Sequence, residues 1–300
     1  MTSLDPAPPQ LEAGAGVYLK REDLHPLGAF KWRGALPTLE GYRERGARTV
    51  VTASTGNHGA ATAWAARRLG LEAIVFAPAG ASRAKVTLIE EQGAQIRLVG
   101  RDFDEAKEAA ARFSAQKGFP LFEDGSEPAQ YDGYGSIAAE ILEQCPTEPA
   151  AVIVPVGNGA LIGGIGRVLK ERSPKTRVIG VAAREAPVMA LSFEAHGAVA
   201  CDRMSTFADG LAVRVAIPRA VEIVNSVVDR FVLASEREIA TAVAAYAAAG
   251  IRSEGAAAAA LAALRQERPT SGPIVLIVTG RNIDEDLFQR ACKDPDSFPD

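Results

Sequence analysis

Short apolar runs alternate with longer helical patterns along most of this chain. The apolar runs predict strands over 48–52, 73–77, 95–99, 151–156, 177–182 and 273–278. The helical patterns fall over 59–69, 82–92, 102–116, 133–144, 163–170, 236–249 and 255–265. Strand then helix, repeated, argues for an α/β fold of parallel sheets covered by helices. The most apolar stretch, 256–264, lies between Glu254 and Arg265. It is too short to span a bilayer and reads as a buried Ala-rich helix. The first fourteen residues form a polar, Pro-rich arm without the pattern of a signal peptide. No internal repeat or linker is visible.

Composition narrows the class of protein. Three hundred residues suit two modest domains or one large one. Hydrophobic content of 47% with 23% charged residues is ordinary for a globular chain. A net charge of −4 offers no basic footprint for nucleic acid. Cys145, Cys201 and Cys292 have neither metal nor redox spacing, which suggests idle thiols in a reducing compartment. The expectation is a soluble cytoplasmic protein without membrane or nucleic-acid partners.

In parallel sheets, ligands gather at the carboxyl ends of strands. Three strand ends run straight into turns that carry chemistry. Ala53-Ser54-Thr55-Gly56-Asn57-His58-Gly59 combines free N–H groups, two hydroxyls and a helix start, which suits a carboxylate or phosphate. The same segment also reads as a helix N-cap behind a glycine turn. Val156-Gly157-Asn158-Gly159-Ala160-Leu161 is a glycine loop entering a helix, suited to phosphate. It is neither a P-loop nor the GxGxxG fingerprint, and a tight strand-to-helix crossover is the alternative. The third turn follows strand 273–278 and begins with the hydroxyl of Thr279. That hydroxyl suits a ring nitrogen, or simply caps the strand.

Lys31 stands apart from these turns, in Gly28-Ala29-Phe30-Lys31-Trp32-Arg33-Gly34-Ala35. It follows the charged stretch Lys20-Arg21-Glu22-Asp23 and a Pro/Gly turn. Between Phe30 and Trp32 it is placed for partial desolvation, which favours the neutral, nucleophilic amine. A neutral amine attacks a carbonyl to form a Schiff base. A snorkelling surface lysine at a helix start is the other reading.

Taken in order, these segments resemble the fold-type II pyridoxal-phosphate enzymes, and among them the threonine/serine dehydratase and serine racemase branch. The resemblance rests on Lys20 to Asp23 with Phe30 to Ala35, on Ser54 to His58, and on Gly133-Tyr134-Gly135-Ser136-Ile137. It continues through Gly157 to Leu161, Phe207-Ala208-Asp209-Gly210-Leu211-Ala212-Val213, and Thr279-Gly280-Arg281-Asn282. It implies a tryptophan synthase beta-like architecture. Residues 1–48 and 131–300 would form a large cofactor domain, and 49–130 a small mobile domain carrying the substrate loop. The cofactor would lie between them.

The resemblance also implies roles. Lys31 would hold pyridoxal 5'-phosphate as a Schiff base and act as the base at the substrate Cα. Asn57 would bond the ring 3′-oxygen. Gly157, Asn158, Gly159, Ala160 and Leu161 would donate to the phosphate, and Thr279 would face the ring nitrogen. Ser54, Thr55, Gly56, Asn57 and His58, with Tyr134, would contact the amino-acid substrate. Thr55 lies where racemases carry a second acid/base. A hydroxyl opposite the ring nitrogen favours elimination, so the implied reaction removes water from a hydroxy amino acid, giving a 2-oxo acid and ammonia. Racemisation and β-replacement are the enzymatic alternatives, and a non-catalytic phosphate-binding or nucleotide-binding α/β protein is the third. A homodimer is expected.

Several positions depart from the pattern. Asn158 and Ala160 replace loop glycines, Tyr134 replaces a glutamine, and Ala60 replaces another. These shift the expected substrate pocket. Ala182 stands where metal-binding members carry a glutamate, so no divalent cation is expected there. No regulatory domain is expected after residue 300.

Overall fold

The computed structural model describes every residue except Arg203 and residues 267–271. Strands in chain order are β1 (Leu4–Pro6), β2 (Val17–Arg21), β3 (Thr49–Ala53), β4 (Glu72–Ala77), β5 (Gln95–Leu98), β6 (Ala151–Pro155), β7 (Arg177–Ala183), β8 (Arg230–Ala234) and β9 (Ile274–Val278). The helices are α1 (Trp32–Glu44), α2 (Asn57–Leu69), α3 (Arg83–Glu90), α4 (Phe103–Lys117), α5 (Pro128–Gln144), α6 (Ala160–Arg172), α7 (Val188–Glu194), α8 (Pro218–Val227), α9 (Glu236–Ala248), α10 (Gly255–Gln266) and α11 (Glu285–Lys293). The chain forms two compact units, one of Met1–Phe30 with Tyr134–Asp300, the other of Lys31–Gly133.

The first unit is built on a six-stranded sheet in the order β1-β2-β9-β6-β7-β8. All its pairings are parallel except the edge pair β1–β2. The polar N-terminal arm is therefore partly strand, with Leu4 opposite Lys20. The middle strands β6 and β9 are buried along their whole length, as a parallel sheet covered on both faces requires. Helix α10 is buried from Gly255 to Leu264. Its small Ala side chains let it lie close against α9 and the sheet, in a core shared with Ile153, Leu276 and Val243. Helix α9 opens with a capping box in which Ser235 and Glu238 satisfy each other's backbone N–H groups.

Strand β2 is disguised in sequence because its fourth residue is charged. Lys20 has 0% exposure, and its ammonium donates to Glu140 at 2.6 Å, Thr2 O at 2.7 Å and Gln144 at 3.2 Å. The following acids are buried too. Glu22 accepts from Thr2 Oγ1 at 2.6 Å, and Asp23 accepts from Arg21 Nε at 2.8 Å and Nη2 at 2.7 Å. Each buried charge thus has a hydrogen-bonded partner, the condition under which burial is tolerated.

The second unit carries the parallel sheet β3-β4-β5. Its core joins Val51, Ile74 and Phe76 to Ala110 of α4, with Phe113 and Phe119 packed alongside. Helix α4 is capped by Asp102, whose carboxylate accepts from Glu105 N at 2.9 Å. Helices α1 and α2 pack on each other within this unit. The segment at 120–122 runs parallel to β3, with Val51 N bonded to Pro120 O and Phe122 N to Val51 O. Among the described residues no helix is long and apolar enough to cross a membrane.

Candidate active site

In the first unit three neighbouring parallel strands, β2, β9 and β6, end at one edge of the sheet. Each exit leads to one of the segments singled out above. Strand β6 leads into the glycine loop and α6. Gly157 lies so close to Gly210 that a Cβ there would sit 2.4 Å from Gly210 O. The Ala208-Asp209-Gly210 segment thus packs directly against the loop. The N–H groups of Gly157, Asn158, Gly159 and Leu161 have no hydrogen-bond partner among the described residues, whereas Ala160 N donates to the Asn158 side chain at 3.0 Å. Unmet donors at the start of a thirteen-residue helix make an anion cradle.

Strand β9 leads to Thr279, which is 2% exposed. Its hydroxyl donates to Glu254 Oε1 at 3.1 Å. Glu254 itself is 3% exposed and its N–H donates to Gly280 O at 3.0 Å. Strand β2 leads to the Pro/Gly turn and Phe30. That turn is strapped to the segment after β9: Phe30 N donates to Thr279 O, Arg281 N to Gly28 O, and Asn282 Nδ2 to Leu27 O. Gly28 has φ +67° and a Cβ there would sit 2.5 Å from Asn282 Oδ1, so both conformation and space demand glycine. Tyr134 is fully buried with its ring edge-on to Phe30, centroids 5.0 Å apart.

In the second unit β3 leads to the Ser54–His58 turn. Ser54 Oγ accepts from Gly56 N at 3.1 Å and Gly59 N at 3.0 Å, so this side chain holds the turn together. The N–H groups of Thr55 and His58 have no hydrogen-bond partner among the described residues, and they stand at the start of α2. The His58 ring is buried. Its Nε2–H is shared by Thr52 Oγ1 at 3.1 Å and Phe122 O at 3.2 Å. Burial holds His58 below the ordinary histidine range, and the opposing pull of Asp124 does not reverse this. The ring is therefore neutral, and its Nδ1 faces Asp124 Oδ1 at 3.7 Å without an ion pair.

Lys31 is the residue before α1, and its side chain is 16% exposed. An ammonium there meets the positive end of the helix dipole. Asp124 offsets this: Lys31 Nζ donates to Asp124 Oδ2 at 2.5 Å. Asp124 Oδ1 accepts from Gln130 Nε2 at 3.2 Å, while Gln130 Oε1 accepts from Gly125 N at 2.9 Å and Glu127 N at 3.3 Å.

Among the predicted residues, then, Gly157 to Leu161 and Thr279 leave adjacent strands at one sheet edge, and Lys31 pairs with Asp124, which lies 3.7 Å from the His58 ring at the α2 start. Two functional candidates escaped the sequence reading. Asp124 lies in a short loop with no periodicity to mark it. Glu254 precedes ten buried residues, and an acid in that position signals a partnered buried charge.

The first unit thus offers an anion cradle and a buried hydroxyl, groups that suit a phosphate and a ring nitrogen, and the second offers a lysine amine, which suits an aldehyde. The chain belongs to the family described as pyridoxal-phosphate dependent enzyme, whose model matches residues 2–280. Its architecture is that of the fold-type II members. It is 38% identical to an L-threonine ammonia-lyase of Geobacter sulfurreducens, over 90% of this chain and 68% of that protein. An L-threonine ammonia-lyase of Thermotoga maritima is 36% identical, over 92% of this chain and 70% of that one. Among solved structures, the processed threonine deaminase isoform 2 of Solanum lycopersicum superposes with a TM-score of 0.91 at 30% identity, covering 97% of this chain and 86% of that one. Maize serine racemase gives 0.89 at 26% identity, covering 97% and 91%. The protein is a pyridoxal-phosphate-dependent lyase.

Proposed function

We propose that this enzyme removes water from a β-hydroxy amino acid of the serine/threonine type, giving a 2-oxo acid and ammonia. The names of its relatives support the substrate class. The observation that carries the reading is Asp124 set between the Lys31 amine, with which it pairs, and the neutral His58 ring in the first turn of α2. It sets a base beside a helix start with unmet N–H groups, within one compact unit.

The bound cofactor supplies an electron sink for negative charge at the substrate Cα. Lys31 would carry the cofactor aldehyde and, once released, take the Cα proton. The N–H groups of Thr55 and His58 at the α2 start would hold the substrate carboxylate. The glycine loop Gly157 to Leu161 would hold the cofactor phosphate, and Asn57 its ring oxygen. Lys31 would return its proton to the departing hydroxyl, so that water leaves. The released unsaturated amine hydrolyses to the 2-oxo acid and ammonia.

The same reading places the enzyme in the cytoplasm as a homodimer. Its three cysteines are unpaired thiols, in keeping with a reducing compartment. A panel of D- and L-β-hydroxy amino acids tests the activity. Ammonia and 2-oxo acid in equal amounts are expected from at least one. Mirror-image amino acid as the main product, or no turnover across the panel, contradicts the reading.

A further inference from the structure

Asp124 is built to stay where it is. Gln130, which clamps its Oδ1, has 0% exposure, and the Gln130 carbonyl is fixed by two backbone N–H groups of the same loop. Tyr131 OH donates to Gly125 O at 3.0 Å and pins the loop again. The His58 ring, neutral, also faces this carboxylate at 3.7 Å. Oδ2 is thus held toward the Lys31 amine, and the pair is only partly open to solvent, at 16% and 29% exposure. An ion pair in such a place is far less screened than one on the surface.

We propose that Asp124 is a positioning residue for Lys31, its counterion whenever the lysine holds a proton. The inference rests on the reading that Lys31 carries the cofactor and serves as the base. When Lys31 takes the Cα proton, the C–H electron pair stays with the substrate and the lysine nitrogen becomes cationic. The Asp124 carboxylate stabilises that cation until the proton passes to the departing hydroxyl, which leaves as water. The same contact works in the opposite sense during loading. Schiff-base formation consumes the amine, which must first give up its ion pair with Asp124.

These two effects have opposite signs, and a merely structural role would not produce the pair. The test uses Asp124→Asn in full-length protein. Apo enzyme is mixed with pyridoxal 5'-phosphate at neutral pH, and Schiff-base formation is followed by visible absorbance. The loaded enzyme is then assayed for kcat and KM. The expected result is faster loading, by about tenfold, from removal of an opposite charge at ion-pair distance. With it, kcat falls about a hundredfold while KM stays within about threefold. Asp124→Glu, which keeps the charge, should recover kcat to within about tenfold of the parent. Should the asparagine variant not fold, Asp124→Ser reads the same two rates. Unchanged loading, with or without a loss of kcat, overturns the proposal. A parent enzyme that loads but turns over no hydroxy amino acid defeats the functional reading, while the loading rates still test Asp124. A parent that forms no Schiff base defeats both.

Discussion

The Thr279 hydroxyl donates its single proton to Glu254 Oε1 across 3.1 Å of buried space. A hydroxyl has one proton to give. Toward any further partner Thr279 Oγ can therefore only accept. If it faces the cofactor ring, it is matched to a nitrogen that bears a proton. Behind that neutral hydroxyl, one hydrogen bond away, lies the buried Glu254 carboxyl. Replacing Thr279 by Ala should also leave Glu254 short of a donor, at a cost of about 1–3 kcal/mol. We expect a lower Tm for the apo Thr279→Ala protein and near-parental stability for Thr279→Ser. With 15N-labelled cofactor, the ring-nitrogen shift should report a proton in the parent and lose it in Glu254→Gln. Equal shifts in both would show that Glu254 has no influence on the ring.

Gly157 has no room for a methyl group. The nearest obstacle is a backbone oxygen, Gly210 O, 2.4 Å from where a Cβ would lie. Backbone cannot rotate away as a side chain does. Gly157→Ala should cost about 1–3 kcal/mol of stability from overpacking. It should also weaken pyridoxal 5'-phosphate binding, measured by cofactor titration. Tight binding with unchanged Tm would mean that the loop is not the phosphate cradle.

Burial lowers the His58 pKa in the folded protein. In the unfolded chain the imidazole has its ordinary affinity for a proton. As pH falls through about 6.5, the unfolded state gains a proton that the folded state refuses. Stability should therefore be full above that value and decline below it, by at most about 1.4 kcal/mol per pH unit from this group. Denaturant melts at pH 7 and pH 5 should show this loss, and His58→Gln should reduce it. An identical pH slope in that variant would remove His58 from the account.

Much of the fold was legible because the buried strands are uninterrupted. Strands β6 and β9 contain no polar residue, and the Ala-rich run at 256–264 is a buried helix as expected. Strand β2 was not legible because Lys20, a charged residue, lies in its interior. Only the three-dimensional arrangement shows that Glu140 and Gln144, far along the chain, receive it. The glycine loop and Thr279 were visible as strand ends because parallel strands put such turns at one edge. Asp124 and Glu254 were not, since a carboxylate acquires meaning from its partner. The partners here are 93 and 25 residues away. The Ser54–His58 turn was read for its hydroxyls, yet Ser54 is occupied in shaping the turn.

The central claim is that Lys31 carries the cofactor. Reduction of the loaded enzyme with borohydride, followed by peptide mass mapping, fixes the cofactor to the lysine it occupies. The added mass is expected on the peptide containing Lys31, and is lost together with the visible absorbance in Lys31→Ala. Added mass on another lysine, such as Lys20, or label that persists in Lys31→Ala, would contradict it.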